Sequence, residues 1–405
     1  MNMQNKSIVQ LAAAIFIQAS ATLHAETYQY LVADLGTIAG PVSSAMGISD
    51  NGNVAGLSTV LSANFHAVLW NGTPNDLGVV GVDTQSMAFA VNDAGQVAGL
   101  SYNYGDISPH AFLWTAGSLQ PLGDFSPRGL NQSGVIVGHQ TSFAVNNLWV
   151  DRACRWTLGT LQDLGTLGGD NSFAFAINDA GWAAGQSFLP DNKTLRACLW
   201  AGGAVRDLGT IAGTAGSRSS AADLNESRHI VGWSEIAGGA QHACMFQTDA
   251  EGMVTARADL GVLGGDSSYA YGINDSDAVV GSSDSRGFIW QGGVMQDLNA
   301  LIPSGSGWTI TRGAAINESG IIVGDGVWRG FQRAVMLTPV SCLKADMNDD
   351  GSVNGLDIQD FVDVMIASGT PNQICAGDVA QVADGEVTVA DLADFVTCLL
   401  SGGCI

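Results

Sequence analysis

The sequence predicts an all-β protein, a seven-bladed β-propeller closed by its own N-terminal strand, followed by a small all-α domain. Three observations carry this. A set of three short motifs recurs seven times along residues 26–340, at spacings of about 39 to 52 residues and near 44 on average, the length of one four-stranded propeller blade. No stretch of helical period interrupts the copies. From residue 341 the composition changes: residues 341–405 hold eleven acids against one Lys, whereas residues 26–340 hold twenty-seven against thirteen Lys and Arg.

The elements follow in chain order. Residues 1–25 read as a secretory signal, with Lys6 as the basic start, an apolar stretch from Ile8 to Leu23, and Leu-His-Ala as the cleavage end. No later apolar run approaches the ~18 residues that span a bilayer, so the expectation is an exported chain with no membrane span after processing. Of its 405 residues, 46% are hydrophobic and 13% charged, enough apolar surface for a large core. A net charge of −23 argues against nucleic acid as a partner, because phosphate binding needs Lys and Arg.

The repeat begins with Ile177-Asn178-Asp179-Ala180-Gly181 followed by Gly185, a pattern that also starts at Ile48, Val91, Leu130, Leu224, Ile273 and Ile316. His110-Ala111-Phe112-Leu113-Trp114 is the second motif, with variants at His66, Arg152, Arg196, His242, Arg286 and Arg333. Asp163-Leu164-Gly165 is the third. It recurs from Asp34, Asp76, Asp207 and Asp259, and weakly at Leu122-Gly123 and Asp297-Leu298.

Within one unit, residues 172–177 predict the first strand, Asn178 to Gly181 a turn with Gly at a positive-φ position, and residues 183–187, 196–200 and 204–208 the other three strands. The order of motifs implies closure. The first Asp-Leu-Gly precedes the first Ile-Asn-Asp turn, and the last unit ends without its own. Residues 27–34 can supply that missing strand and leave few open sheet edges.

These repeats resemble the extracellular repeat family named for its His-Ala-Phe signature, carried by His110-Ala111-Phe112 with near copies at His66-Ala67-Val68 and His242-Ala243-Cys244. The resemblance covers residues 30–338 and implies an exported repeat protein without a defined activity.

Residues that repeat explain the fold. His66, His110 and His242 share one position with four arginines, and a catalytic base is seldom built several times over; an amphipathic side chain at the head of the third strand is the expectation. Cys154, Cys198 and Cys244 stand for the signature Phe and read as small buried hydrophobes. Function belongs where the units depart from one another. The segments joining second and third strands differ most, and the candidate ligand residues there are Tyr104, Asp106, Trp149, Asp191, Trp233, Glu235 and Trp328. Aromatic rings and carboxylates on one face suit a carbohydrate or a peptide. No Ser-His-Asp arrangement, phosphate-cradling Gly loop or zinc spacing stands out, so no catalytic residue is assigned.

The C-terminal region carries the sharpest motif. Asp346, Asn348, Asp350, Asn354 and Asp357 occupy loop positions one, three, five, nine and twelve, with Gly351 at six and the Ser352 carbonyl at seven, the oxygen spacing of a calcium loop. Ile358, Phe361, Val362 and Met365 then share one helical face. Thirty-four residues on, Asp384, Glu386, Thr388 and Asp391 repeat the later ligand positions, although Ala380 and Val382 stand where the first two should be. Calcium is therefore the expected cofactor. Cys342, Cys375, Cys398 and Cys404 fit two disulfides in an exported protein, with three pairings open.

Two calcium-loop-plus-helix segments resemble a dockerin, the module that docks bacterial polysaccharide-degrading enzymes onto scaffold proteins. The resemblance covers residues 344–402 and implies a cohesin-like or cell-surface protein as partner.

The sequence thus supports an exported, non-enzymatic binding protein, with a polysaccharide-acting hydrolase or lyase and a structural cell-surface component as alternatives. Calcium is expected to raise the thermal stability of the C-terminal domain, and Asp350→Ala to remove most of that gain, since a ligand bound only by the folded state stabilises it by mass action. Calorimetric titration showing no calcium uptake would contradict it.

Overall fold

The computed structural model describes residues 29–106, 109–143 and 149–340. The signal segment and residues 341–405, with the calcium and disulfide assignments made there, lie outside the described residues. The unit Tyr30–Pro339 is a seven-bladed β-propeller. Its seven sheets have four antiparallel strands each, and the only helical turn among the described residues is a 3-10 turn at Leu298–Ala300.

Blades I to VI each use four consecutive strands, innermost first, and their innermost strands are Ser43–Ile48, Gln85–Val91, Ser126–Leu130, Ser172–Ile177, Ser219–Leu224 and Ser268–Ile273. Blade IV follows the sequence reading within a residue or so at each end: Ser172–Ile177, Ala183–Phe188, Leu195–Ala201 and Ala204–Gly209. Blade VII takes three strands from Trp308–Ile316, Ile322–Trp328 and Phe331–Pro339 and borrows Tyr30–Asp34 as its outermost strand. That borrowed strand pairs from Tyr30 opposite Pro339 to Asp34 opposite Val335. The expected closure is present, with the strand beginning at Tyr30.

The core lies between blades. In one seam Leu199 and Leu208 of blade IV pack with Leu224, Ile230 and Phe246 of blade V. In the closing seam Val54, Val68 and Trp70 of blade I pack with Val323 and Ala334 of blade VII. Fully burying one such aliphatic or aromatic side chain is worth about 1.5–3 kcal/mol, and each seam holds several. Cys154, Cys198 and Cys244 are buried in these seams with free thiols, and burial pushes the Cys154 thiol up to about 12. They act as the small hydrophobes expected.

Repeat residues also join blade to blade by hydrogen bonds. The Asn that opens each turn does two things. Its Oδ1 closes its own turn, as when Asn178 accepts from the Trp182 N–H at 2.9 Å, and its Nδ2 donates to the Asn carbonyl of the next blade. The chain of bonds runs from Asn92 to Asn131, Asn178, Asn225, Asn274 and Asn317 at 3.0–3.3 Å, then on to the Ser49 carbonyl at 3.2 Å. Blade I has Ser49 in the Asn position. Its hydroxyl closes its own turn and no bond of this kind leads on to blade II.

A second, outer belt uses the following residue. The backbone N–H of Asp93 is capped by the Gln132 side chain, that of Gln132 by Asp179, that of Asp179 by Glu226, that of Glu226 by Asp275, that of Asp275 by Glu318 and that of Glu318 by Asp50. The Asn51 N–H donates to Asp93 at 3.2 Å and completes the circuit. The acidic residues of the repeat are thus inter-blade caps.

The third motif stitches six of the seven blades internally. Its Asp caps the N–H two residues on, as Asp163 does for Gly165 at 2.7 Å, and pairs with the His or Arg that heads the third strand: His66 with Asp76, Arg152 with Asp163, Arg196 with Asp207, His242 with Asp259, Arg286 with Asp297 and Arg333 with Asp34. Those His and Arg are more than the amphipathic side chains the repeat position suggested. Their carboxylate partner comes from a different motif, which adjacency along the chain does not reveal.

Asn178→Ala is expected to cost about 1–3 kcal/mol, since it orphans a buried turn N–H and a blade-to-blade bond together. Ser49→Asn should stabilise by about 0.5–1.5 kcal/mol by completing the inner belt. Urea unfolding of the two variants checks both signs; equal stability of all three proteins would show that the belt carries no load.

Candidate functional site

The loops joining second and third strands share a face of the disc with the crossovers from one blade to the next, as the repeat order implied. Gly40 and Gly169 in crossovers donate to the Thr59 and Phe188 carbonyls at the ends of second strands, Asn103 Nδ2 donates to Asp83 at 3.1 Å, and Asn192 Nδ2 donates to Asp170 at 2.7 Å.

The seven sequence-predicted ligand residues fall on this face in five different blades. Tyr104, Asp106 and Asp191 are in loops, and Tyr104 is 95% exposed. Trp149, Trp233, Glu235 and Trp328 instead lie on strands, because the second or third strands of blades III, V and VII extend further than the repeat suggested. Several are occupied locally. Asp106 accepts from the Asn103 N–H. Asp191 accepts from Thr194 and Lys193 within its own turn, which holds its carboxyl down to about 2. Glu235 binds Arg218 at 3.0 Å. Trp149 packs edge-on against Phe143, Trp233 against Tyr269, and Trp328 stacks on Trp308 at 5.9 Å. No hydrogen bond or ring contact joins one of the seven to another among the described residues.

A different set of side chains is brought together at the axis. All seven innermost strands are bulged at the same repeat position, so that one residue is skipped in the pairing with the second strand. The skipped residues are Met46, Phe89, Arg128, Phe175, Ala222, Tyr271 and Ala314. All seven border one central cavity of about 240 Å³.

The bulge has a partner in the second strand. Opposite it stands a Gly in every blade, and a Cβ there would lie 1.9–2.3 Å from an inner-strand carbonyl oxygen, as for Gly185 with Phe173 and Gly138 with Ser126. Only glycine tolerates that approach. The Gly that follows the turn motif at Gly185 and its equivalents is therefore part of the device that lets the skipped residue face the axis.

The cavity is electrostatically uneven. Arg128 lies over the Phe89 ring at 4.3 Å, and its Nε is buried without a hydrogen-bond partner. Beside it, His139 has a buried Nδ1 with no partner, contacts Phe173 edge-on, and is held down to about 4, mainly by burial and then by the Arg128 charge. On the far side, Asp223 stands where other blades carry Gly or Ala. Its carboxylate accepts from the Leu224 and Ile273 N–H groups at 2.9 and 3.1 Å, but burial outweighs these bonds and pushes it up to about 7. Arg312 of blade VII pairs with Asp325 at 2.8 Å and lies over Tyr271.

One position on the irregular face departs from the repeat. In blade II, Pro121 stands where the fourth strand should carry the Asp partner of the third-strand His. His110 turns instead to Asp83 in the preceding crossover, at 2.8 Å. The Asp83 carboxylate is almost wholly buried and the His110 side chain is 43% exposed. Hydrogen bonding to Asp83 raises the His110 pKa above its ordinary value against an opposing burial effect.

Among the described residues no three His, Cys, Asp or Glu side chains converge as a metal site, and no helix is long and apolar enough to cross a membrane. The tail ligands Asp346, Asn348, Asp350, Ser352, Asn354, Asp357, Asp384, Glu386, Thr388 and Asp391 lie outside the described residues.

No family model matches the chain, and no curated protein matches it. Solved structures do. Oligogalacturonate lyase in complex with manganese aligns with a TM-score of 0.50 at 12% identity, over 78% of this chain and 96% of that one. An inactive virginiamycin B lyase of Staphylococcus aureus with quinupristin aligns at TM-score 0.47 and 12% identity, over 77% of this chain and 100% of that one. The SapL1 lectin with α-methyl fucoside aligns at TM-score 0.38 and 11% identity, over 65% and 98%. At such identities the likeness is one of fold.

Asp223 gives a pH signature. Its folded-state pKa lies above the unfolded value near 4, so the folded state binds the extra proton between about pH 4 and 7, and stability falls as pH rises through that window. Asp223→Asn should leave stability at pH 4 nearly unchanged and raise it at pH 8 by about 4 kcal/mol. Unfolding curves at the two pH values measure this; an equal shift at both would contradict it.

Proposed function

We propose that the protein is an exported, non-enzymatic binding protein. Its propeller takes one group of a carbohydrate or peptide into the axial cavity, which lies at the ends of the innermost strands that lead into the Asn turns. One observation carries the reading: the repeat position that the bulge takes out of pairing with the second strand borders the cavity in all seven blades, and there the copies read Met, Phe, Arg, Phe, Ala, Tyr and Ala. A position serving only packing would be held to one residue type by its equivalent surroundings. Aromatic walls with a few polar groups are the usual make-up of a small-ligand site. The C-terminal domain, in this reading, holds calcium and docks to a cohesin-like or cell-surface protein.

The alternative is a polysaccharide-acting enzyme, favoured by the Asp83–His110 pair. A buried carboxylate fixing Nδ1 of a half-exposed imidazole leaves Nε2 free to take a proton, the arrangement of an oriented general base. His110 Nε2 lies 4.0 Å from the exposed Asp124 carboxylate, and among the described residues no Ser, Thr, Cys or Tyr hydrogen-bonds to the imidazole as a nucleophile would, so the binding reading is preferred.

A glycan and peptide array probed with the full-length protein tests this. Phe175→Ala and Tyr271→Ala should each weaken retained ligands about tenfold or more, as expected for loss of a stacked ring, while Tyr104→Ala should change binding little. Retention unaffected by either cavity variant would overturn the axial site, and cleavage products that disappear with His110→Ala would establish the enzyme.

A further inference from the structure

We infer that the axial cavity anchors its ligand through a carboxylate, carried on a single ring and held by Arg128. This rests on the binding reading above and names the chemistry of the group bound. Arg128 is the only charged residue among the seven freed by the inner-strand bulges. Among the described residues its side chain makes no hydrogen bond and no ion pair; its guanidinium lies over the Phe89 ring, and its buried Nε has no partner.

Half of the twelve arginines in the described residues, Arg152, Arg196, Arg218, Arg286, Arg312 and Arg333, pair with carboxylates, and Arg155, Arg206 and Arg257 bond to a carbonyl or a sulfur. Arg128 shares with Arg228 and Arg329 a ring contact without a side-chain hydrogen bond, and of these three it alone borders the axial cavity. A partly desolvated guanidinium without a counter-ion costs stability, and a carboxylate from outside, taken in the two-pronged geometry guanidinium favours, offsets that cost. His139 beside it cannot serve as the counter-ion, since burial first and the Arg128 charge second hold its imidazole neutral.

The rest of the cavity limits what carries the carboxylate. Phe89, Phe175 and Tyr271 give flat apolar walls suited to the face of a ring. At about 240 Å³ the space falls below the roughly 300–1,000 Å³ of sites for drug-sized molecules, so it takes one ring or a chain end. Asp223 sits two blades away from Arg128. Its carboxyl oxygens can accept from a hydroxyl and it offers no cation to an acid, so the acid end of the ligand goes to Arg128 and a donor end to Asp223, the polarity of a sugar acid.

Calorimetric titration of the full-length protein with D-glucuronate, its methyl ester, benzoate and benzamide tests the assignment. Glucuronate should bind, its ester at least about tenfold more weakly, and Arg128→Gln should remove that difference. Arg128→Lys keeps the charge and is the second variant should the Gln protein fail to fold; it should retain part of the preference. Benzoate binding over benzamide, lost in Arg128→Gln, also supports the carboxylate anchor and assigns its carrier to an aromatic acid. Ester and acid binding alike, a preference that survives Arg128→Gln, or no acid binding at all would overturn it. An array ligand still lost on Phe175→Ala would in that case leave the axial site standing without its carboxylate specificity.

Discussion

No blade of this protein can bury its own faces. Each is a four-stranded sheet apolar on both sides, and Leu199, Phe246 or Val323 leaves water only when the neighbouring blade is present. The ring must therefore be complete, because an open array would leave two such faces exposed. Strand exchange at the closure meets that demand: Tyr30–Asp34 completes blade VII, and Ser43 of blade I accepts from the Ala334 N–H across the same seam.

Polar repeat residues serve the same end. The Asn side chains link blade II round to blade I, each closing its own turn through Oδ1 and reaching a carbonyl of the next blade through Nδ2, and the belt outside them runs the full circuit, each side chain satisfying a turn N–H of a neighbouring blade that would otherwise lack a protein partner. The third motif does likewise within every blade but the second through its Asp and the facing His or Arg. With apolar and polar repeat positions committed to the ring in this way, the bulge at the innermost strand is where a side chain escapes both seams. Its facing Gly makes room for the distorted strand, and diversity among the copies collects there.

Where a copy breaks the pattern, the electrostatics change with it. Replacement of the blade II Asp by Pro121 sends His110 to the buried Asp83. Asp223, in a Gly or Ala position, places a carboxyl in the cavity wall with only two backbone N–H groups to oppose its burial. Arg128 contributes an uncompensated cation on the other side. These departures concentrate chemistry on a scaffold whose regular positions carry none, as expected when binding groups are grafted onto a rigid fold.

The all-β class, the blade number, the strand order within each blade and the closure by the N-terminal strand were legible along the chain. Those follow from local hydrogen bonding and from motif order, which are properties of the chain read along its length. It also pointed to the irregular face, because Tyr104 or Trp328 stands out from the repeat there. Only the tertiary structure decided that Asn178 reaches the next blade, that the repeated His and Arg pair with the Asp of another motif, and that Met46, Phe89, Arg128, Phe175, Ala222, Tyr271 and Ala314 meet around one cavity. The skipped residue of a bulge looks like any strand residue when written in line. Its direction is set by pairing with the second strand, and its neighbours, about 40 to 50 residues away in sequence, are set by the curvature that brings seven sheets to a common axis.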